Sequence, residues 1–194
     1  MRYILASGSP RRKELLAKLI PDFEIIPAVS EEHTSKELPS EIVEELSFQK
    51  ASEIFHKILT ETEDELVVIG ADTVVSYNHK ILGKPGDEED ACSMVSMLSG
   101  QEHSVFSGVT VFYLDQGKEK HFTFNECTRV HVAEMTKEEV AAYVATKEPL
   151  DKAGAYGIQG LFARYITGIE GDYYNVVGLP IARLYRELKH HSLL

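Results

Sequence analysis

The residues best suited to chemistry begin at position 7, in the run SGSPRRKELL. An apolar stretch ends there, Ser7, Gly8 and Ser9 form a tight turn, and Pro10 opens a helix with Ser9 as its expected N-cap. The first backbone N–H groups of a helix lack intrahelical partners and carry partial positive charge, which suits a phosphate. Ser7 and Ser9 would add hydroxyl donors, and Arg11 and Arg12 guanidinium forks that match phosphate oxygens. The plainer alternative is a capped helix with a solvated basic first turn. Cations are unfavourable at a helix N-terminus, however, so two arginines there without an anion would be a local conflict. The Walker pattern GxxxxGK(S/T) is absent.

A second place is GADT, inside the apolar run LVVIGADTVV. An acid interrupting such a run is costly to bury unless it is paired or binds a cation, which makes Asp72 a candidate metal ligand or general base. The alternative is an aspartate at a strand end that caps a turn. Lys84, in GKP, falls on what reads as the returning arm of a hairpin and is expected near Asp72. A third place is the loop pair Glu31-Glu32, with Lys50 on the helix that follows, beside the apolar position Ala51. Charged loops and helix faces are ordinarily just solvated, so these gain meaning only beside the other groups. The fourth is EPLDKAGAYGIQG, residues 148–160, where small residues alternate with Asp151, Lys152, Tyr156 and Gln159. That composition lets backbone approach a flat ligand, with Gln159 able to read a base edge by paired hydrogen bonds. A turn-rich connector has the same composition. Together the four places point to phosphate chemistry on a small molecule.

Composition narrows the class. The net charge of −11 argues against non-specific nucleic-acid binding, which needs a basic face. An acidic protein acting on a polyphosphate must therefore concentrate its cations locally or recruit a metal. The eight histidines include no HExxH and no helical pair, so a histidine-built metal site is not expected. Cys92 and Cys127 make neither a disulfide framework nor a zinc site and read as buried or half-buried small residues. No apolar run approaches the roughly 18 residues that span a bilayer, and the N-terminal run is too short for a signal peptide. A cytoplasmic location without membrane or nucleic-acid partners is the expectation.

The elements that must position these groups alternate between strand and helix. Residues 2–6 read as a buried strand, 10–19 as an amphipathic helix and 22–27 as a second strand. A loop over 30–40 leads to a helix at about 40–58, with Val43, Leu46, Ala51, Ile54, Phe55 and Ile58 at helical spacing. Residues 66–77 form a Val- and Ile-rich strand, turned at Asn78-His79 into a hairpin. A helix over 87–98 stops at Gly100, and 103–114 with 118–133 form an antiparallel ribbon turning at DQGK. Thr136 and Glu139 fit a capping box opening a helix to about 146. Residues 151–160 read as loop, 162–171 as a last strand or hairpin, and 178–191 as a terminal helix. The expectation is one α/β domain over residues 1–194, a mixed central sheet flanked by helices, with two lobes around a cleft.

Motifs extend from residue 4 to about 180: LASGSPRRKELL, GADTVV, GKP, GQEHSVFSGV, EPLDKAGAYGIQG and IEGDYYNVVGLP. In this order they resemble the Maf family of nucleoside triphosphate pyrophosphatases. The resemblance implies the fold of the inosine triphosphate pyrophosphatases, a homodimer, and a divalent cation, magnesium or manganese. It places the catalytic aspartate on Asp72, phosphate-binding groups on Ser7, Ser9, Arg11 and Arg12, an acidic metal ligand on Glu32, and lysines on Lys50 and Lys84. One branch of the family prefers dTTP and UTP, another 7-methyl-GTP. Arg11, Thr73 and Gln159, associated with substrate choice, are similar to the first branch. Ser107 stands where threonine is expected and keeps the hydroxyl. The implied reaction releases pyrophosphate from dTTP, UTP or modified pyrimidine nucleotides, with Asp72 activating the water and Glu32 and Asp72 holding the cation. The rival reading is a nucleotide-binding regulator of cell division, a septum formation inhibitor without turnover. Such a sensor needs the phosphate grip but no acid at the α-phosphorus, and Asp72 with Lys84 favours the enzyme. A purine house-cleaning pyrophosphatase on the same fold is a third reading.

Overall fold

The computed structural model describes residues 1–60 and 65–194. Among the described residues seven strands, β1 (Arg2–Leu5), β2 (Glu24–Ile25), β3 (Leu66–Tyr77), β4 (Lys80–Leu82), β5 (Glu102–Asp115), β6 (Lys118–Val132) and β7 (Ile166–Glu170), form one mixed sheet in the order β2-β1-β3-β5-β6-β7, with β4 paired to β3. The chain divides into two compact units, the first being Met1–Asp72, Ser107–Glu126 and Gly178–Leu194, and the second Thr73–Phe106 and Cys127–Val177.

In the first unit, β1 (Arg2–Leu5) pairs in parallel with β2 (Glu24–Ile25) and with β3 (Leu66–Tyr77), Leu5 standing opposite Ile69. The expected strand at 22–27 shrinks to two residues, and both are exposed. An edge strand paired on one side only has little to bury. Helix α1 (Pro10–Leu16) follows β1 and stops three residues short of the expected end. Helix α2 (Pro39–Leu59) buries Ala51, Ile54, Phe55 and Ile58 against Ile4, Val68 and Phe112. Each such large side chain stabilises the fold by about 1.5–3 kcal/mol.

Two glycines let α2 lie directly on the sheet. A Cβ added at Gly70 would stand 2.5 Å from the Ser47 carbonyl oxygen and 2.7 Å from the Ala51 nitrogen. At Gly108 it would stand 2.2 Å from the Val43 carbonyl oxygen. Backbone seats on backbone at both points, the usual meaning of glycine inside a strand. Beneath the helix, the Ser47 hydroxyl meets that of Thr110 at 3.0 Å, so the buried hydroxyls are satisfied. Strands β5 (Glu102–Asp115) and β6 (Lys118–Val132) are joined at Gln116-Gly117, whose φ angles of 52° and 74° give a hairpin turn.

In the second unit, β3 turns at Asn78 and His79, with φ of 47° and 62°, into β4 (Lys80–Leu82). Asp87 caps α3 (Glu88–Leu98) by accepting from the Asp90 N–H at 2.9 Å. The capping box of Thr136 and Glu139 opens α4 (Lys137–Ala145). The expected loop at 151–160 contains 3-10 turns, as do Glu148–Asp151 and Leu161–Tyr165. Strand β7 (Ile166–Glu170) is followed by α5 (Tyr173–Val177), which sequence reasoning missed because five residues show no period. Helix α6 (Ile181–His190) closes the chain in the first unit. Cys92 is half-buried and Cys127 exposed, so Cys127 departs from the expected burial, standing on an outward position of β6. Among the described residues no helix is long and apolar enough to cross a membrane.

Candidate active site

The first unit holds Ser7, Ser9, Arg11, Arg12, Glu32, Lys50 and Asp72. Ser7 follows β1 and is buried, its Oγ accepting from the Ser9 N–H at 3.3 Å and from Arg12 Nη1 at 3.2 Å. Arg12 Nε donates to the Gly178 carbonyl at 2.9 Å, which orients the guanidinium plane. Ser9 occupies the N-cap position, but its side chain makes no cap hydrogen bond. The first turn of α1 has no acidic residue to offset Arg11 and Arg12. Burial draws Arg12 below its ordinary value. The Asp72 and Glu32 carboxylates oppose that shift, and the neighbouring Arg11 charge adds to it.

Asp72 stands mid-strand on β3, not at a strand end, and is buried. Lys50, on α2, donates from Nζ to Asp72 Oδ1 at 2.6 Å and lies 3.1 Å from Glu32 Oε1. The Lys50 and Asp72 side chains are 14% and 12% exposed, so solvent screens this pair little. The approach depends on Gly70, two residues before Asp72, which admits the α2 backbone to the sheet. Of the adjacent acids, Glu32 joins this cluster, whereas Glu31 lies 3.5 Å from His33 and is 85% exposed.

Lys84, Thr73 and Gln159 belong to the second unit. Strand β4 ends at Leu82, so Lys84 lies beyond the hairpin arm on which it was expected, and it is exposed. Thr73 is half-buried and next to Asp72 along β3, and Gln159 is exposed in the turns before Gly160. Buried in the same unit, His103 meets the Tyr156 hydroxyl at 2.8 Å through Nε2. Burial, with a smaller contribution from His131, lowers its pKa to about 4.

Among the described residues, Glu102, His131 and Glu170 bring metal-ligating atoms within 4.8 Å of one another. Arg129 pairs with Glu170 and lies 3.9 Å from Glu102, while His131 reaches Glu170 at 3.1 Å. Both carboxylates are exposed, and exposed acidic groups are common without a metal.

Sequence reasoning missed the contacts of Gly70 and Gly178. The glycine inside an apolar strand was a signal for close backbone approach. The Gly178 carbonyl gave none, because it meets Arg12 across 166 residues.

Chemically, the first unit offers arginines and hydroxyls for anionic oxygens, a carboxylate able to take a proton, and a lysine between two acids. A family model described as Maf-like protein matches residues 2–191. The chain is 52% identical to a dTTP/UTP pyrophosphatase of Agathobacter rectalis, over 96% of this chain and 95% of the relative. It is 50% identical to a dTTP/UTP pyrophosphatase of Lachnoclostridium phytofermentans, over 98% and 95% of the two chains. Among solved structures it is similar to the Ham1 protein of Staphylococcus aureus, with a TM-score of 0.48 at 13% identity over 98% of this chain and 100% of that one.

Proposed function

The chain belongs to the Maf family, and from that premise we propose that it hydrolyses dTTP and UTP to the monophosphate and pyrophosphate. The substrate class rests on relatives that share half of its residues over nearly their whole length. The observation that carries the chemistry is Lys50 held between Asp72 and Glu32, with the Arg12 guanidinium in the same electrostatic field.

Ser7, Ser9, Arg11 and Arg12 bind the triphosphate oxygens. The free N–H groups at the start of α1 and two adjacent guanidiniums offer donors and positive charge to an arriving anion. Lys50 neutralises further charge. Asp72 orients a water and takes its proton. The water oxygen bonds to the α-phosphorus, the bond from that phosphorus to the bridging oxygen breaks, and pyrophosphate leaves with the bridging oxygen. Positioning and charge stabilisation supply most of the rate gain. Thr73, Lys84 and Gln159 keep the substrate-contact roles that the family resemblance implies, Gln159 at a base edge.

Glu32 and Asp72 fit a divalent cation: both are hard oxygen donors, and Lys50 draws an oxygen of each toward one nitrogen. Bound magnesium or manganese would supply charge stabilisation at the phosphate oxygens. The reading carries with it a cytoplasmic homodimer.

A panel of nucleoside triphosphates, incubated with magnesium or manganese and resolved by chromatography, tests the proposal. dTTP and UTP should give monophosphate plus pyrophosphate, and EDTA should abolish turnover. Tight binding of a nucleotide without turnover would overturn the enzymatic reading, and turnover confined to purine nucleotides would overturn the substrate.

A further inference from the structure

The segment that carries Glu32 has no backbone support of its own. Residues 26–38 lie between β2 and α2 without regular structure, and residues 29–38 are exposed. Among the described residues, no backbone–backbone hydrogen bond is made by residues 27–37. Yet Glu32 reaches Lys50 at 3.1 Å.

The order comes from side chains of α2. Glu53 accepts the Val29 N–H at 3.0 Å on one carboxylate oxygen and the Ser30 N–H at 3.2 Å on the other. Gln49 grips His33 twice: its carbonyl oxygen accepts the His33 N–H at 3.3 Å, and its amide donates to the His33 carbonyl at 2.6 Å. Glu45 accepts from the Thr34 hydroxyl, which in turn accepts the Lys36 N–H at 3.0 Å. Residues 45, 49 and 53 are four apart, so they form one ridge of the helix. The two grips fall on either side of Glu32, at Ser30 and at His33. Lys50 follows Gln49 directly, so one helix fixes both the loop carrying Glu32 and the cation that Glu32 meets.

We infer that Gln49 and Glu53 are positioning residues, acting through the loop backbone to hold the Glu32 carboxylate at the Lys50–Asp72 pair. This rests on the reading that Glu32 and Asp72 bind the divalent cation. Neither Gln49 nor Glu53 touches the reacting atoms. Their effect is to present Glu32 in one place, so that cation binding does not have to order an irregular thirteen-residue segment. Charge alone does not reproduce the grip: Gln49 must both donate and accept, and Glu53 must accept two N–H groups at once.

The test compares Gln49→Ala, Glu53→Ala, Glu53→Gln and the double alanine variant with the unaltered chain and with Glu32→Gln. Hydrogen exchange of the nucleotide-free protein reads the loop, manganese titration calorimetry reads the cation, and dTTP kinetics read the outcome. The alanine variants should speed exchange over residues 29–36 and weaken manganese binding by about 10-fold, as removal of groups that orient ligands commonly does. Their kcat at saturating cation should change far less than their half-saturating cation concentration. Glu53→Gln, which keeps one acceptor oxygen, should fall between Glu53→Ala and the unaltered chain. Unchanged manganese affinity in the double variant, with Glu32→Gln weakened, would overturn the positioning role and leave the metal reading intact. Unchanged affinity in Glu32→Gln would overturn the metal reading itself, and the positioning role with it.

Discussion

Asp72 and His103 are both buried polar residues on long strands, and the fold treats them in opposite ways. Asp72 is matched by Lys50 at 2.6 Å, a pair whose disruption from one side would cost about 3–5 kcal/mol. His103 meets, among the described residues, only the Tyr156 hydroxyl, and burial lowers its pKa to about 4 against an ordinary 6.5. The folded state therefore binds fewer protons than the unfolded state between these two values. Stability is full above pH 6.5 and falls with pH until about 4, a loss of about 3 kcal/mol from this residue. Denaturant unfolding of His103→Gln across that range should lack this part of the slope, and slopes equal to the parent's would contradict the account. At this scale the sequence was readable where a residue broke its local pattern. Asp72 inside an apolar strand and two arginines at a helix start both stood out. Gln49, Glu53 and the Gly178 carbonyl did not, because each acts on a segment distant in sequence and looks ordinary in its own.

Helix α2 and strand β3 meet through Gly70, and this contact sets the Lys50–Asp72 distance. The atoms a Gly70 Cβ would strike are the Ser47 carbonyl oxygen, the Ala51 nitrogen and the Ala51 Cβ, none of which can swing aside as a side-chain tip can. Gly70→Ala should cost about 1–3 kcal/mol of stability and lower kcat as the helix shifts from Asp72. Gly86→Ala, where nothing lies within 4 Å, serves as the control and should leave both unchanged. Thermal melting and steady-state rates check the pair, and a Gly70→Ala variant as stable and active as the Gly86→Ala variant would refute the seating. Long elements were legible because their signals are long: β3 runs Leu66–Tyr77 as its apolar content implied, and the Asn78-His79 turn follows from residues that tolerate positive φ. Short ones were legible in part: β2 was expected over too long a range and α5 was missed. The two-residue β2 and five-residue α5 owe their form to pairing and packing, which leave no period in FEII or YYNVV.

For the whole molecule, a net charge of −11 and the proposed polyphosphate substrate are reconciled by local placement of charge. Arg11, Arg12 and Lys50 are gathered in one compact unit from β1–α1 and α2. The α/β class was legible from alternating strand and helix signals. The division of β3, β5 and β6 between two compact units was not, because each strand is continuous in its pattern. The central claim is that water, activated by Asp72, attacks the α-phosphorus. It is tested most directly by hydrolysing dTTP in ¹⁸O-labelled water and locating the label by mass spectrometry. The account predicts label in the monophosphate and none in the pyrophosphate, with Asp72→Asn slower by at least about 10²-fold. Label in the pyrophosphate, or an Asp72→Asn variant as fast as the parent, would contradict it.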